Sequence, residues 1–229
     1  MEAVISNFDE YLKAFGLTIG LFVVSGIGAL VFGTILAVLR VGPVSILNKA
    51  AALYVTLFRN TPLLMIFVFM AIAMPVLGYN FKFVEDVEIA GYNVSAFFFR
   101  SCVALTLYTS AFVCEALRSG VNAVPLGQAE AGRAIGLTFG QSMREIVLPQ
   151  ATRAVIPPMT SVLIALLKNT SVAAAFGMAE ATATMRALTN NNADQRIGIF
   201  LAFAVGYIIL VELVSLSSYL VERKVKVAR

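Results

Sequence analysis

Five apolar stretches of membrane-crossing length, at roughly 17–39, 62–78, 95–117, 154–176 and 197–220, leave this chain few folds to adopt. A hydrocarbon layer about 30 Å thick needs ~20 residues of helix, and inside it each backbone N–H and C=O must be satisfied within the segment or a closed barrel. An all-α, polytopic protein of the cell membrane follows. Charged residues make up only 13% of the 229, against roughly 25% in a soluble domain, which excludes a water-exposed fold and intrinsic disorder. The first turns carry Glu2, Asp9 and Glu10 rather than a basic n-region, so the first stretch is expected to remain as a span. The second stretch is the shortest. Residues 44–58 read as a helical lead-in along the interface, with Pro62 marking a turn of direction or a helix start.

The basic residues set the orientation. With the N-terminus outside, the inner segments collect Arg40, Lys49, Arg59, Arg118, Arg133, Arg144, Arg153, Arg223, Lys224, Lys226 and Arg229, while the outer side holds the acidic run Glu85, Asp86, Glu88. An outer N-terminus and inner C-terminus are therefore expected. The same charges neither cluster nor interleave with surface aromatics, so nucleic acid is not an expected partner; membrane lipid is.

With no histidine and two cysteines, zinc and haem chemistry lack their usual ligands. Twelve helical residues place Cys102 and Cys114 about 18 Å apart, beyond the roughly 7 Å limit for a disulfide, so both read as packing residues. No nucleophile and base stand at a suggestive spacing, which argues against an intramembrane enzyme. There is no G-x-x-x-x-G-K-[ST], hence no reason for this chain to hydrolyse ATP.

The inner segment 118–153 is too long and too rich in helix formers for a plain connection. A short helix through Ala129 and Ile135 is expected to end at Gly136 in a left-handed cap, and a second, over 138–147, to stop near Pro149. Its small-residue face at Ala129, Ala131, Gly132 and Ala134 suits close approach to another protein, with Glu130 and Arg133 at the edge. The alternative is an amphipathic helix resting on headgroups.

Glu130-Ala131-Gly132, three residues, Gly136, nine residues and Ile146-Val147-Leu148-Pro149 resemble the E-A-A-x3-G-x9-I-x-L-P loop (EAA loop) of bacterial ABC importer permeases, with Gly132 in place of the second alanine. Arg59-Asn60-Thr61-Pro62-Leu63-Leu64, Leu107-Tyr108-Thr109-Ser110-Ala111, Leu117-Arg118-Ser119-Gly120 and Leu166-Leu167-Lys168-Asn169-Thr170-Ser171 resemble the polar amino-acid uptake branch, which includes histidine, glutamine and glutamate permeases. The similarity runs from about residue 16 to 220 and extends to actinobacterial glutamate-uptake permeases.

That resemblance implies a type I importer fold formed by a single permease domain over 1–229. It also implies a second permease subunit, identical or paralogous, a cytoplasmic ABC ATPase dimer carrying ATP and magnesium, and an extracellular substrate-binding protein. It makes Gly127, Glu130, Ala131, Gly132, Arg133, Gly136, Ile146, Leu148 and Pro149 the ATPase-coupling set, with no cofactor on this chain. The contrasting function is a small channel or secondary carrier, independent of ATP, with a regulatory loop.

Ionisable residues within apolar spans are costly and mark candidate pathway positions. Lys168, with Asn169, Thr170 and Ser171, could receive a substrate carboxylate, or Lys168 could snorkel to the interface; Pro157-Pro158 is expected to kink or delay its helix. Glu180 in the G-x-x-E segment reads either as a pathway gate or as a solvated acid favoured at a helix start. Glu115 is expected to pair with Arg118 or another subunit and Glu212 to lie near an inner end, while Arg59 reads as a snorkelling anchor or a contact near the ATPase or the pathway. Gly16, Gly20, Gly26, Gly28 and Gly33 permit close helix packing that would suit a subunit interface.

Overall fold

The computed structural model describes residues 2–79, 87–89 and 92–225. Four helices are long and apolar enough to cross a membrane: Phe8–Val41, Ala96–Asn122, Phe139–Phe176 and Ala193–Lys224. The bent pair Ser45–Asn60 and Leu63–Val76, turning through 100°, makes a fifth crossing if counted as one; it is counted as the second long helix, so that Ala96–Asn122 is the third and Phe139–Phe176 the fourth. Pro62 causes the bend. It is extended at ψ 136°, and Thr61 before it is driven out of the helical region to ψ 129°. The first helix begins at Phe8 rather than near residue 17, its opening turn carrying Asp9 and Glu10 where a helix N-terminus favours acid. Outside the helices, Val87–Ile89 pairs antiparallel with Tyr92–Val94, Val87 opposite Val94. Glu85, Asp86, Lys226 and Arg229, used above for orientation, lie outside the described residues, as does the side chain of Glu88.

Three prolines expected to stop, kink or delay helices stand inside one. Pro149 sits within a helix that runs from Phe139 to Phe176, because the preceding residues Met143–Val147 widen into a π turn and the Leu148 N–H donates to the Met143 carbonyl. The wider turn accommodates a ring that would clash in a regular one. The same device precedes Pro75, where Phe69–Ala73 form a π turn and the Met74 N–H donates to Phe69. Pro157 and Pro158 are likewise inside Leu148–Asn169, so the helix starts well before them.

The central core joins the first four crossings through Leu21, Phe67, Leu105 and Leu166. A second core, Phe15, Leu188, Ile199 and Phe203 with Tyr11 packed beside it, holds the last helix against the first. Gly28 and Gly33 serve packing inside this chain, against the third long helix, rather than a contact reserved for another subunit. A Cβ at Gly28 would fall 2.8 Å from Thr106 Oγ1, and one at Gly33 would fall 2.6 Å from Val113 Cβ and 2.8 Å from the Ser110 carbonyl. Neither obstacle at Gly33 is a flexible tip. Gly33→Ala is therefore expected to cost about 2 kcal/mol by overpacking. Gly20→Ala, 3.5 Å from the Phe98 ring, should be nearly neutral. Thermal unfolding of both variants in detergent compares them, and equal midpoints would refute this packing argument. Cys102 and Cys114 are both free and buried on Ala96–Asn122, as expected of packing thiols.

Candidate functional site

The connection between the third and fourth long helices is shorter than its sequence suggested, because both flanking helices extend into it. One continues to Asn122 and the other begins at Phe139, leaving a hairpin around the helix Leu126–Ala134. That helix ends as expected: Gly136 takes φ +91°, where a side chain would be strained, its N–H donates to Arg133 O at 2.9 Å, and the Leu137 N–H reaches back to Gly132 O at 3.0 Å. Thr138 then opens the next helix through a capping box with Gln141.

Gly132 is where the two halves of the motif meet. It is buried, and a Cβ there would lie 2.6 Å from Ile146 Cδ1 and 3.2 Å from Ser142 Oγ. Val124, Val147 and Ala151 form a small core beneath the hairpin, with Val121, Ala129 and Met143 against it. Among the described residues, none covers the other face. Gly127, Glu130, Ala131, Arg133, Gly136 and Pro149 are exposed, Leu148 is 45% exposed, and Leu126 and Ile135 reach 80% and 79%. The hairpin thus presents an apolar rim around a charged pair, on a base held rigid by Gly132 and Ile146.

Near the base of the hairpin, Glu115 gathers three arginines. It forms a close ion pair with Arg40 and further pairs with Arg118 at 3.4 Å and Arg59 at 3.8 Å. Arg59 also lies over the Phe112 ring, 5.8 Å from its centroid. Sequence spacing showed only the Arg118 partner three residues away; Arg40 and Arg59 arrive because the bent helix folds back on the first and third, through Ala51, Val55 and Tyr54. Arg59 is consequently a tertiary contact within the chain.

Lys168 and Ser171 line a groove of about 440 Å³ with Thr182, Phe200, Tyr207 and Glu212. Of the other candidates in that run, Asn169 is half-buried, and Thr170 is fully buried with its hydroxyl donating to Leu167 O at 2.6 Å. The helix tightens into a 3-10 turn over Thr170–Phe176, which turns Thr170 and Ala173, three residues apart, inward, and Gly177 ends it at φ +86°.

Glu180 is fully buried, which corrects the solvated reading. One carboxylate oxygen accepts from the backbone N–H groups of Thr182 at 2.8 Å and Ala183 at 3.1 Å, as an N-cap of Ala181–Asn191. The other accepts from the Tyr207 hydroxyl at 2.9 Å and the Thr18 hydroxyl at 3.4 Å. The cap was legible; the first and last long helices folding over it were not. Burial pushes this carboxyl above its ordinary value, opposed by the Thr182 amide, the Tyr207 hydroxyl, the Ala183 amide and the Thr18 hydroxyl. A raised value means that the folded state holds the proton to higher pH than the unfolded chain. Stability is then greatest at low pH and declines as pH rises through the ordinary carboxylate range, levelling once Glu180 has ionised. Glu180→Gln should flatten that decline, whereas Glu180→Ala should cost about 2 kcal/mol by stranding its donors. Unfolding midpoints across pH that are parallel in wild type and Glu180→Gln would contradict this.

Residues 29–227 match the family of binding-protein-dependent transport system inner membrane components. The chain belongs to this family. As an importer permease it is 44% identical over 205 residues to the glutamate transport system permease protein GluC of Corynebacterium glutamicum, covering 87% of this chain and 86% of that protein. It is 35% identical over 219 residues to the glutamate/aspartate import permease protein GltJ of Escherichia coli K12, covering 93% and 86%. The crystal structure of an amino acid ABC transporter with histidines shares its fold at a TM-score of 0.82 and 22% identity, across 96% of both chains. The type I importer fold is that of this permease, a multi-pass membrane subunit of an ABC importer, with ATP hydrolysis on separate subunits. Membership implies ATPase and substrate-binding-protein partners, and the ATP-independent channel or carrier is not favoured.

Sequence reading missed Arg186 and Arg196, which line a second hollow of about 500 Å³ with Thr189 and Asn190. The available signal was the spacing Thr182, Arg186, Thr189, Asn190, one polar face of a short helix.

Proposed function

We propose that this permease moves glutamate, or a closely related acidic or amide amino acid, into the cell by alternating access. The observation that carries the substrate class is the 44% identity to GluC over nearly the whole of both chains. A second permease subunit, identical or paralogous, completes the pathway, since five crossings leave Lys168 and Glu212 exposed on one side. The N-terminus lies outside and the C-terminus inside, which puts the hairpin in the cytoplasm, where an ATPase dimer binds ATP and magnesium and an extracellular binding protein delivers substrate. This chain needs no cofactor of its own.

The hairpin surface formed by Gly127, Glu130, Ala131 and Arg133 receives the ATPase, with Gly132, Gly136 and Ile146 keeping its shape and Leu148 and Pro149 at its root. Motion is transmitted by a simple route. Ile146 and Lys168 stand on the same helix, Phe139–Phe176, so closing of the ATPases displaces the hairpin and the Lys168 face together. Lys168 and Ser171 face the pathway, while Asn169, Thr170 and Glu180 shape the wall from behind.

Reconstitution with an ATPase and a binding protein tests this by measuring ATP hydrolysis across a panel of amino acids. Glutamate should stimulate it most. Uptake that persists without the ATPase, or equal stimulation by basic amino acids, would overturn the proposal. Lys168→Ala should lower transport by about tenfold, the effect of losing one charge-assisted contact of ~1.4 kcal/mol, with assembly intact.

A further inference from the structure

The hollow at Arg186 and Arg196 and the groove at Lys168 and Glu212 adjoin, since Met185 and Phe200 line both. We infer that the trough they form is a charge-graded track for an anionic amino acid, with Arg186 and Arg196 as its acid-selecting mouth. The inference rests on the import function proposed above and adds a residue-level selectivity step to it.

Two helices build most of the trough by their periodicity, and Lys168 and Ser171 join it from a third segment. Arg196, Phe200, Ala204, Ile208 and Glu212 recur every four residues on the last helix, facing Thr182, Met185, Arg186 and Thr189 of Ala181–Asn191. From Arg196 to Glu212 is sixteen residues, about 24 Å of helix, most of a hydrocarbon layer about 30 Å thick. The neighbouring stripe of the last helix, Leu201, Val205 and Ile209, is apolar and exposed, as a lipid-facing or subunit-facing surface should be. The trough is chemically different. Lys168 and Glu212 on a lipid-facing surface would be costly, so their face belongs to water or to a polar ligand.

The order of charges gives the trough its direction. Two guanidinium groups stand at one end, suited to a carboxylate by their forked donors, and beyond Met185 and Phe200 come Thr182 and Ser171 with their hydroxyls. At the far end stand one ammonium, Lys168, and one carboxylate, Glu212, the complement of an α-carboxylate and an α-ammonium. Among the described residues none of these four charged groups is in an ion pair. A neutral amide side chain would meet the same far end but gain less at the mouth, so Arg186 and Arg196 favour the acid over the amide.

The test uses the assembled importer in membrane vesicles carrying Thr182→Cys, on a background where Cys102 and Cys114 are 5% and 0% exposed and stay silent. A methanethiosulfonate bearing a sulfonate should label Cys at this position about tenfold faster than one bearing a trimethylammonium, the size of a focused field effect. Arg186→Gln with Arg196→Gln should bring that ratio near one and lower acidic-substrate uptake about tenfold, without weakening binding-protein affinity. No labelling by either reagent, a ratio that survives the arginine substitutions, or a matching loss of binding-protein affinity would each overturn the track. Uptake by the unsubstituted importer that needs no ATPase would instead overturn the import reading, while the labelling ratio would still stand or fall by itself.

Discussion

Glu130→Lys is expected to abolish most ATP-dependent uptake while leaving the permease folded and in the membrane. Glu130 is exposed on a helix whose buried contact is Gly132, and no ion pair within the described residues involves it. An exposed substitution away from packed features stays within about 0.5 kcal/mol of neutral, so the fold should not notice. The docked ATPase should. Reversing a charge at an interface costs about 2 kcal/mol or more, roughly a thirtyfold loss of affinity. Uptake and co-purification of the ATPase should fall together, and stimulation of ATP hydrolysis by substrate should vanish. Gly132→Leu is the useful contrast, because its side chain drives into Ile146 and Ser142 and should lower thermal stability as well. Normal uptake by a normally assembled Glu130→Lys permease would show that this face of the hairpin is not where the motor pushes.

What could be read in the sequence was what is local or periodic. Apolar length marked the crossings, Pro62 marked the bend, and Gly136 marked the end of the hairpin helix, since each follows from the residue's own backbone chemistry. Pro149 misled for the same reason: local chemistry forbids a regular helical bond, but the π turn before it absorbs the ring, and the helix carrying Pro157 and Pro158 had already begun at Leu148. Glu180 shows the boundary most clearly. Its role as a cap follows from its place before Ala181, whereas its burial requires Thr18 and Tyr207, which stand 162 and 27 residues away. Nothing in the spacing of one chain announces such a meeting. The trough escaped notice likewise, because Lys168, Arg186 and Arg196 sit on three different helical segments and share a surface only once those segments pack.

In the proposed mechanism the hairpin and the trough are one mechanical unit seen at two ends. Gly132 against Ile146 fixes the hairpin to Phe139–Phe176, and the same helix carries Lys168 to the groove without an intervening hinge of more than 40°. A push at one end must reach the other as a rigid displacement, because packed interiors do not deform continuously. The bent pair packs against Phe8–Val41 and Ala96–Asn122, and in the proposed mechanism it holds them together while Phe139–Phe176 moves.

Glu115 is what secures the bent pair, and Glu115→Ala is expected to be more damaging than removal of any one of its arginines. The reason is an asymmetry of charge. Losing one arginine leaves the carboxylate with two others, but losing the carboxylate leaves three guanidinium groups with no acidic partner between helices packed through Ala51 and Val55. The Arg40 and Glu115 side chains are only 15% and 26% exposed, so stranding that charge should cost about 3 kcal/mol. Arg59 and Arg118, 46% and 39% exposed, are screened by solvent and add less than about 1 kcal/mol each. The expected order of unfolding midpoints is thus wild type, then Arg59→Ala and Arg118→Ala together, then Arg40→Ala, then Glu115→Ala, the last lowered by roughly 6–12 °C for a chain of this size. Combining Arg40→Ala with Glu115→Ala should recover part of the loss, a coupling of about 2 kcal/mol in a double-mutant cycle. Strictly additive losses, or an Arg40→Ala variant less stable than Glu115→Ala, would mean that the arginines hold the bend through their packed stems and not through the shared carboxylate.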